Sequence, residues 1–187
     1  MAGQNDLLES LMSHGIDMRS RTVYLDDDID SRVARKFIRG LRFLDKTDGK
    51  ITMILNTGGG DVSSGFAIYG AIKNCRNEVH VEVFGCASSM GSIIMQAADK
   101  RFMDSTAKIM IHYGEIGMVS DHCKNVEKTL EENKRENEWM ENLFIKIIKM
   151  KRPKFTKKRF KEEILFDRYI NANEALKLGL VDEILNP

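Results

Sequence analysis

Apolar positions along this chain alternate between two rhythms. Thr22-Val23-Tyr24-Leu25, Lys50-Ile51-Thr52-Met53-Ile54-Leu55 and Val79-His80-Val81-Glu82-Val83 have the period-two or unbroken apolar character of strands. Each is followed by a stretch with helical spacing. Asp30 is placed to cap a first helix carrying Val33, Ala34, Phe37, Ile38, Leu41 and Leu44, which ends at the turn Asp48-Gly49. The loop Asn56-Thr57-Gly58-Gly59-Gly60-Asp61 leads into a second helix with Phe66, Ala67, Ile68, Tyr69 and Ile72. A third unit runs from the strand at Val79–Phe84 through a tight turn, Phe84 to Gly91, into the apolar run Ser92–Ala98. Strand–helix units of about 30 residues predict right-handed crossovers and a mainly parallel sheet, an α/β fold. His80 is predicted to face away from the core, since Val79, Val81 and Val83 alternate with it.

The second half is organised differently. Arg101-Phe102-Met103 and Lys108-Ile109-Met110-Ile111 read as short strands, the latter ending at His112, and Tyr113 to Val119 as a loop. From about Ser120 to Lys151 a single helix is predicted, polar at first and then apolar at Met140, Leu143, Phe144, Ile147 and Ile148, until Pro153 stops it. At about 45 Å it outreaches a domain of this size, so it is expected to project and meet another subunit. The basic segment Lys151–Lys161 reads as a solvated helix end and a following short helix rather than a nucleic-acid site. Asn171 and Glu174 have capping-box spacing, Gly179 ends that helix, and Leu180–Ile184 is a closing strand. Residues 1–20, with a short face at Leu7, Leu8, Leu11 and Met12, are expected to be a partly flexible or partner-contacting segment, and 21–187 one domain.

Composition narrows the class without naming a partner. The 187 residues are 42% hydrophobic, with 29 basic against 28 acidic side chains, which describes a globular protein and gives no reason to expect nucleic acid. Cys75, Cys86 and Cys123 have no Cys-x-x-Cys spacing, so neither a metal centre nor a disulfide framework is indicated. No window approaches the roughly 18 apolar residues of a membrane span, and no leader-like segment opens the chain. A cytoplasmic protein is expected.

In open α/β sheets, functional groups gather beyond the C-terminal ends of the strands. The glycine loop 58–60, the serines 88 and 89, and His112 are predicted there. A serine needs a base to take its proton, and a neutral histidine is the usual one. Its imidazole needs a carboxylate on the other nitrogen, and spacing does not single one out among the acids. Taken alone, the glycines lack the order of a dinucleotide or phosphate loop and fit a tight turn. The serine turn departs from Gly-x-Ser-x-Gly because position 87 is Ala.

Together these pieces resemble the Clp protease proteolytic subunit family, ClpP. Leu55-Asn56-Thr57-Gly58-Gly59-Gly60 is similar to the family's Asn-Ser-Pro-Gly-Gly, Ala87-Ser88-Ser89-Met90-Gly91 is like its Ala-Ser-Met-Gly, and Met110-Ile111-His112 is like its Met-Ile-His. Asp167-Arg168-Tyr169-Ile170-Asn171-Ala172-Asn173-Glu174-Ala175 and Gly179-Leu180-Val181-Asp182 are like its two C-terminal blocks. The likeness runs from about Arg21 onward. It implies the ClpP/crotonase fold and a serine endopeptidase without cofactor, acting on unfolded polypeptides. Ser89 would be the nucleophile, His112 the base and Asp167 the group that orients it. The N–H groups of Gly60 and Met90 would form the oxyanion hole, glycine at 60 giving the main chain room to approach. A peptide would lie along Gly58, Gly59, Tyr113 and Gly114. The long helix, about 120–151, would be the handle by which heptameric rings stack in pairs, and an ATP-driven AAA+ unfoldase would feed the chamber.

Three stretches depart from the family. Gly58 replaces a Pro, Tyr113-Gly114-Glu115-Ile116-Gly117 replaces Gln-Pro and a glycine-rich strand, and the N-terminal segment is not similar. A divergent relative, for instance one encoded by a phage, would look like this. Two other readings stand beside the peptidase: an inactive subunit that only builds or regulates a ring, and acyl-CoA chemistry on the related crotonase fold.

Overall fold

Eight strands carry the chain's most consistently buried side chains. A computed structural model of the protein describes residues 15–114 and 122–187. In chain order the elements are β1 (Ile16–Asp17), β2 (Thr22–Leu25), α1 (Ser31–Leu44), β3 (Ile51–Thr57), α2 (Val62–Lys73), β4 (Val79–Ser88), α3 (Met90–Ile94) with a 3₁₀ turn at Met95–Ala97, β5 (Lys100–Asp104) and β6 (Lys108–Ile111). There follow α4 (Cys123–Lys151), α5 (Lys157–Glu163), β7 (Arg168–Asn171), α6 (Ala172–Leu178) and β8 (Glu183–Leu185). The expected face at Leu7–Met12 and most of the loop after Gly114 lie outside the described residues.

The sheet runs β1-β2-β3-β4-β5-β8, with β6 joined to β4 and β7 to β6. Pairing is parallel except at β1–β2 and β6–β7, so the α/β fold with a mainly parallel sheet holds. Register lines up Val23, Met53 and Val81 in one row and Leu25, Leu55, Val83 and Met103 in the next. All seven are at most 1% exposed and form the floor on which Phe37, Leu41 and Ile68 pack. The opposite face is less covered. Its row Tyr24, Ile54, Glu82 and Phe102 is partly or fully exposed, although parallel sheets normally have both faces covered. His80 lies on that face, as alternation predicts, yet is buried, with the Phe102 ring 5.8 Å away.

β4 overturns part of the sequence reading. The strand does not stop at Phe84 but runs for ten residues in all, from Val79 to Ser88. Its first half pairs β5 and its second half pairs β6. Between them Leu55 faces Val83 but Thr57 faces Ala87, so β4 holds two extra residues against β3. Gly85, at φ +74°, absorbs the bulge, and a Cβ there would lie 2.6 Å from Asn56 Oδ1, which accepts the Cys86 N–H. The bulge turns the strand away from β5 and toward β6.

Caps behave as the sequence suggests. Asp30 accepts from Val33 N–H at 2.6 Å, Asn171 from Glu174 N–H at 3.0 Å, and Gly179 closes α6 at φ +76°. α4 spans 29 residues, about 43 Å. From Cys123 to Trp139 none of its residues is fully buried, and only Met140 onward joins the core. Among the described residues no helix is long and apolar enough to cross a membrane. The closing strand is shorter than expected, and β1 and β7, of two and four residues, are strands the sequence pattern does not announce. The basic segment is not simply solvated either: Lys157 and Lys161 reach the buried Glu141 at 3.1 and 3.3 Å.

One buried carboxylate ties α1 to the start of β4. Asp45, 8% exposed, accepts the N–H groups of Arg76 and Asn77 and the Asn77 amide at 2.9–3.0 Å. Burial pushes its pKa up, but the Asn77 and Arg76 donors outweigh that and hold it below the usual carboxylate range. Its stabilising effect is therefore complete above the unfolded-state pKa, about 3.9, and is lost as pH falls through the lower folded value. Asp45→Ala is expected to cost about 2–3 kcal/mol in urea unfolding at pH 7, because two N–H donors lose their acceptor. The gap from the unsubstituted chain should narrow below about pH 4; a gap that widens on acidification would contradict the assignment.

Candidate active site

Two strand registers decide which polar groups meet. β4 and β6 run parallel with Ser88 opposite Met110, and the Ser89 N–H donates to Met110 C=O at 2.9 Å. Ser89 and His112 thus leave the sheet side by side. β7 runs antiparallel to β6 with Arg168 opposite Ile111, so one step further Asp167 faces His112.

The resulting distances are unequal. His112 Nε2 lies 2.7 Å from Ser89 Oγ, a hydrogen bond, whereas His112 Nδ1 lies 3.7 Å from Asp167 Oδ1, beyond hydrogen-bonding range. The histidine side chain is 19% exposed and the aspartate 52%. The structure brings Ser89, not Ser88, to the imidazole. Ser89 sits at φ +50°, ψ −119°, a conformation uncommon for a side-chain-bearing residue, held between the end of β4 and the start of α3. The strained strand-to-helix turn has the geometry that a nucleophile elbow uses, and it tolerates the Ala87 side chain by burying it completely in the core.

Beside Ser89 the glycine loop packs closely. A Cβ on Gly59 would lie 2.7 Å from Ser89 Cβ and 2.9 Å from Ser88 O. A Cβ on Gly60 would instead strike the Ile29 carbonyl. Beside the serine itself, position 59 is the one where a side chain has no room, while at 60 it is Ile29 that excludes one. The donors sort differently. The Gly59 N–H is taken by Thr57 Oγ1 at 3.1 Å and the Asp61 N–H by Ile29 C=O at 2.7 Å, which leaves the Gly60 N–H without an acceptor among the described residues. Met90, the first residue of α3, also has an N–H ahead of any acceptor in its own helix. A Cβ on Gly58 would point to Asp28 Oδ1, away from the serine, at 3.3 Å.

Tyr113 and Gly114 are engaged by α4. Gly114 N–H donates to Asn137 Oδ1 at 2.9 Å, its C=O accepts from Asn133 Nδ2 at 3.4 Å, and Tyr113 O–H donates to Glu141 at 2.9 Å. Burial, then the bond to Glu141, pushes the Tyr113 phenol up to about 12. Burial alone would raise Glu141, but Lys157, Tyr113 and Lys161 together hold it low. Asn133, Asn137 and Glu141 were missed by sequence reasoning. Their signal is a spacing of four, which puts all three on one helical face continuous with Met140 and Phe144.

A narrow cleft of about 40 Å³ lies beside Ser89 and His112, walled by Val62, Phe66, Ile93 and Met140, with Glu136 also on its lining. Chemically, a hydroxyl within hydrogen-bond reach of an imidazole, with two main-chain donors nearby and an apolar cleft alongside, can support acyl transfer. Comparison with known proteins points the same way. The Clp protease family model matches residues 9–187. The chain is also 33% identical over 183 residues to the ATP-dependent Clp protease proteolytic subunit 1 of Protochlamydia amoebophila, an alignment covering 94% of this chain and 84% of that protein. Fold, strand-end chemistry and both matches agree: the chain belongs to the Clp protease family, as a proteolytic subunit.

Proposed function

We propose that this subunit is a serine endopeptidase that cleaves unfolded polypeptide within an oligomer. The observation that carries the reading is the 2.7 Å contact between Ser89 Oγ and His112 Nε2 at the ends of adjacent parallel strands. Ser89 attacks the scissile carbonyl while His112 takes its proton. His112 then gives that proton to the leaving amine, and a water hydrolyses the acyl-enzyme by the same route in reverse. The Gly60 and Met90 N–H groups receive the oxyanion. Asp167 orients His112, and the reading requires its 3.7 Å separation to close in the working state. The peptide lies between the glycine loop and Gly114, whose bonds to Asn133 and Asn137 it would replace.

Two observations support self-association. The first half of α4 buries nothing fully in its own chain, and the Tyr24–Phe102 face of the sheet is half open. Leu165, Phe166 and Tyr169, 62–81% exposed around Asp167, would also gain cover in an assembly. We take the assembly to be one or two heptameric rings, with α4 as the handle. The relative's name, an ATP-dependent subunit, supports an AAA+ unfoldase as partner, since this chain has no phosphate-loop lysine of its own. Its three free cysteines fit a cytoplasmic setting.

Fluorophosphonate labelling tests the chemistry. Ser89→Ala is expected to lose labelling and to lower peptide turnover by at least about 10⁴-fold, and Asp167→Asn by about 10²–10⁴-fold. Labelling that survives in Ser89→Ala and disappears in Ser88→Ala would move the nucleophile by one residue. Sedimentation should give a mass several times that of the chain. A folded, strictly monomeric species at micromolar concentration would contradict the assembly.

A further inference from the structure

Charged groups packed against the interior are mostly matched. Asp45 meets main-chain donors, Glu141 meets Lys157 and Lys161, and Asp182 meets Arg101 at 2.8 Å. Glu136 is not. It is partly buried on the inner stripe of α4, between Asn133 and Asn137, and it lines the same cleft as Ser89 and His112. Among the described residues it has neither a hydrogen bond nor an ion pair. No lysine or arginine lines that cleft among them either.

Its surroundings make a partner more valuable. Burial raises the Glu136 pKa, and the carboxylates of Glu132 and Asp61 raise it further. Asp61 is already committed to capping α2 through Ser64 N–H at 2.7 Å, so it adds negative potential without supplying a donor. Glu132 is drawn off toward Arg135 at the surface. The rest of the wall, Val62, Phe66, Ile93 and Met140, is apolar. A neutral apolar side chain filling the cleft would strip water from Glu136 and return nothing to it. A long alkyl stem ending in a cation would cover the wall and pair the carboxylate at once.

We infer that the cleft beside Ser89 selects lysine or arginine side chains, with the stem against Phe66, Ile93 and Met140 and the cation on Glu136. The inference rests on the peptidase reading for why a polypeptide side chain is delivered there, and it names the substrate class that reading leaves open.

Binding tests it without needing turnover. In the Ser89→Ala protein, two short capped peptides identical except for lysine or norleucine can be titrated against the fluorescence of Trp139. This is the single tryptophan, and its ring stands edge-on to Phe66 at 5.0 Å. The lysine peptide is expected to bind about tenfold tighter, and Glu136→Gln in the same background should bring the two affinities to within about twofold. Calorimetry on the same pairs checks any titration in which the fluorescence is silent. Because Glu136 makes no hydrogen bond or ion pair among the described residues, its isosteric replacement has no partner among them to lose. Equal or better binding of norleucine, a lysine preference that survives Glu136→Gln, or no binding of either peptide by both methods overturns the inference. Fluorophosphonate labelling of the unsubstituted protein reports on the peptidase chemistry separately. A lysine preference in a protein that never labels would uphold the cleft and remove the chemistry.

Discussion

The pairing of β6 with strands on both of its sides is the constraint on which the site depends. Only four residues long, Lys108–Ile111 lies parallel to the end of β4 and antiparallel to β7. The first register puts Ser89 beside His112, and the second puts Asp167 opposite it. A slip of one residue would exchange the faces of β6 and carry Lys108 and Met110 inward in place of Ile109 and Ile111. Those isoleucines are 0% and 2% exposed, and each contributes about 1.5–3 kcal/mol by leaving water. Ile170, 1% exposed and paired with Ile109, adds to the same penalty. Apolar burial thus fixes the relation of three polar groups, of which Ser89 and His112 hydrogen-bond at 2.7 Å while Asp167 stands 3.7 Å from the imidazole.

A second constraint acts on the serine itself. A residue at φ +50° with a side chain is held at a cost of about 1–3 kcal/mol, so it persists only where its neighbours over-determine it. Here the Ser89 N–H is tied to β6, its C=O accepts from Ser92 Oγ at 2.6 Å, and the glycine loop closes against its Cβ. That loop is itself clamped, since Thr57 Oγ1 donates to Asp27 C=O and Ile29 brackets Gly60. The bulge in β4 has the same purpose at longer range. Without two extra residues at Phe84–Gly85 the strand would stay on β5 and never reach β6.

Much of this is written locally and some of it is not. The three strand–helix units follow from period, the caps at Asp30, Asn171 and Gly179 from residue type, and the strand-end positions of the serines and His112 from both. Gly85-Cys86 reads as the start of a turn because a bulge and a turn use the same residues; only pairing with β6 distinguishes them. β7 is too short for a period, and the position of Asp167 opposite His112 depends on a partner strand more than 50 residues earlier. That is why spacing alone did not single out the carboxylate and family resemblance was needed to name it. In α4 the failure has another cause. Asn133, Glu136, Asn137 and Glu141 sit in a strongly charged helix, where polar residues ordinarily face solvent, and their helical spacing from Met140 and Phe144 is the one local sign that these four share the inward face.

That inner stripe also ranks the strength of the contacts around His112. Gly114 is held by two neutral hydrogen bonds, one of them at 3.4 Å, and such bonds contribute about 0.5–1.5 kcal/mol each. Tyr113 donates to a buried carboxylate that two lysines keep charged, and a hydrogen bond to a charged group contributes about 1.5–3 kcal/mol. An extended peptide can replace the bonds of Gly114 with bonds of its own at little net cost, but it offers nothing that replaces Glu141. Gly114 is therefore the weaker of the two holds and Tyr113 the stronger, and His112, one residue before that stronger anchor, is kept in place against Ser89.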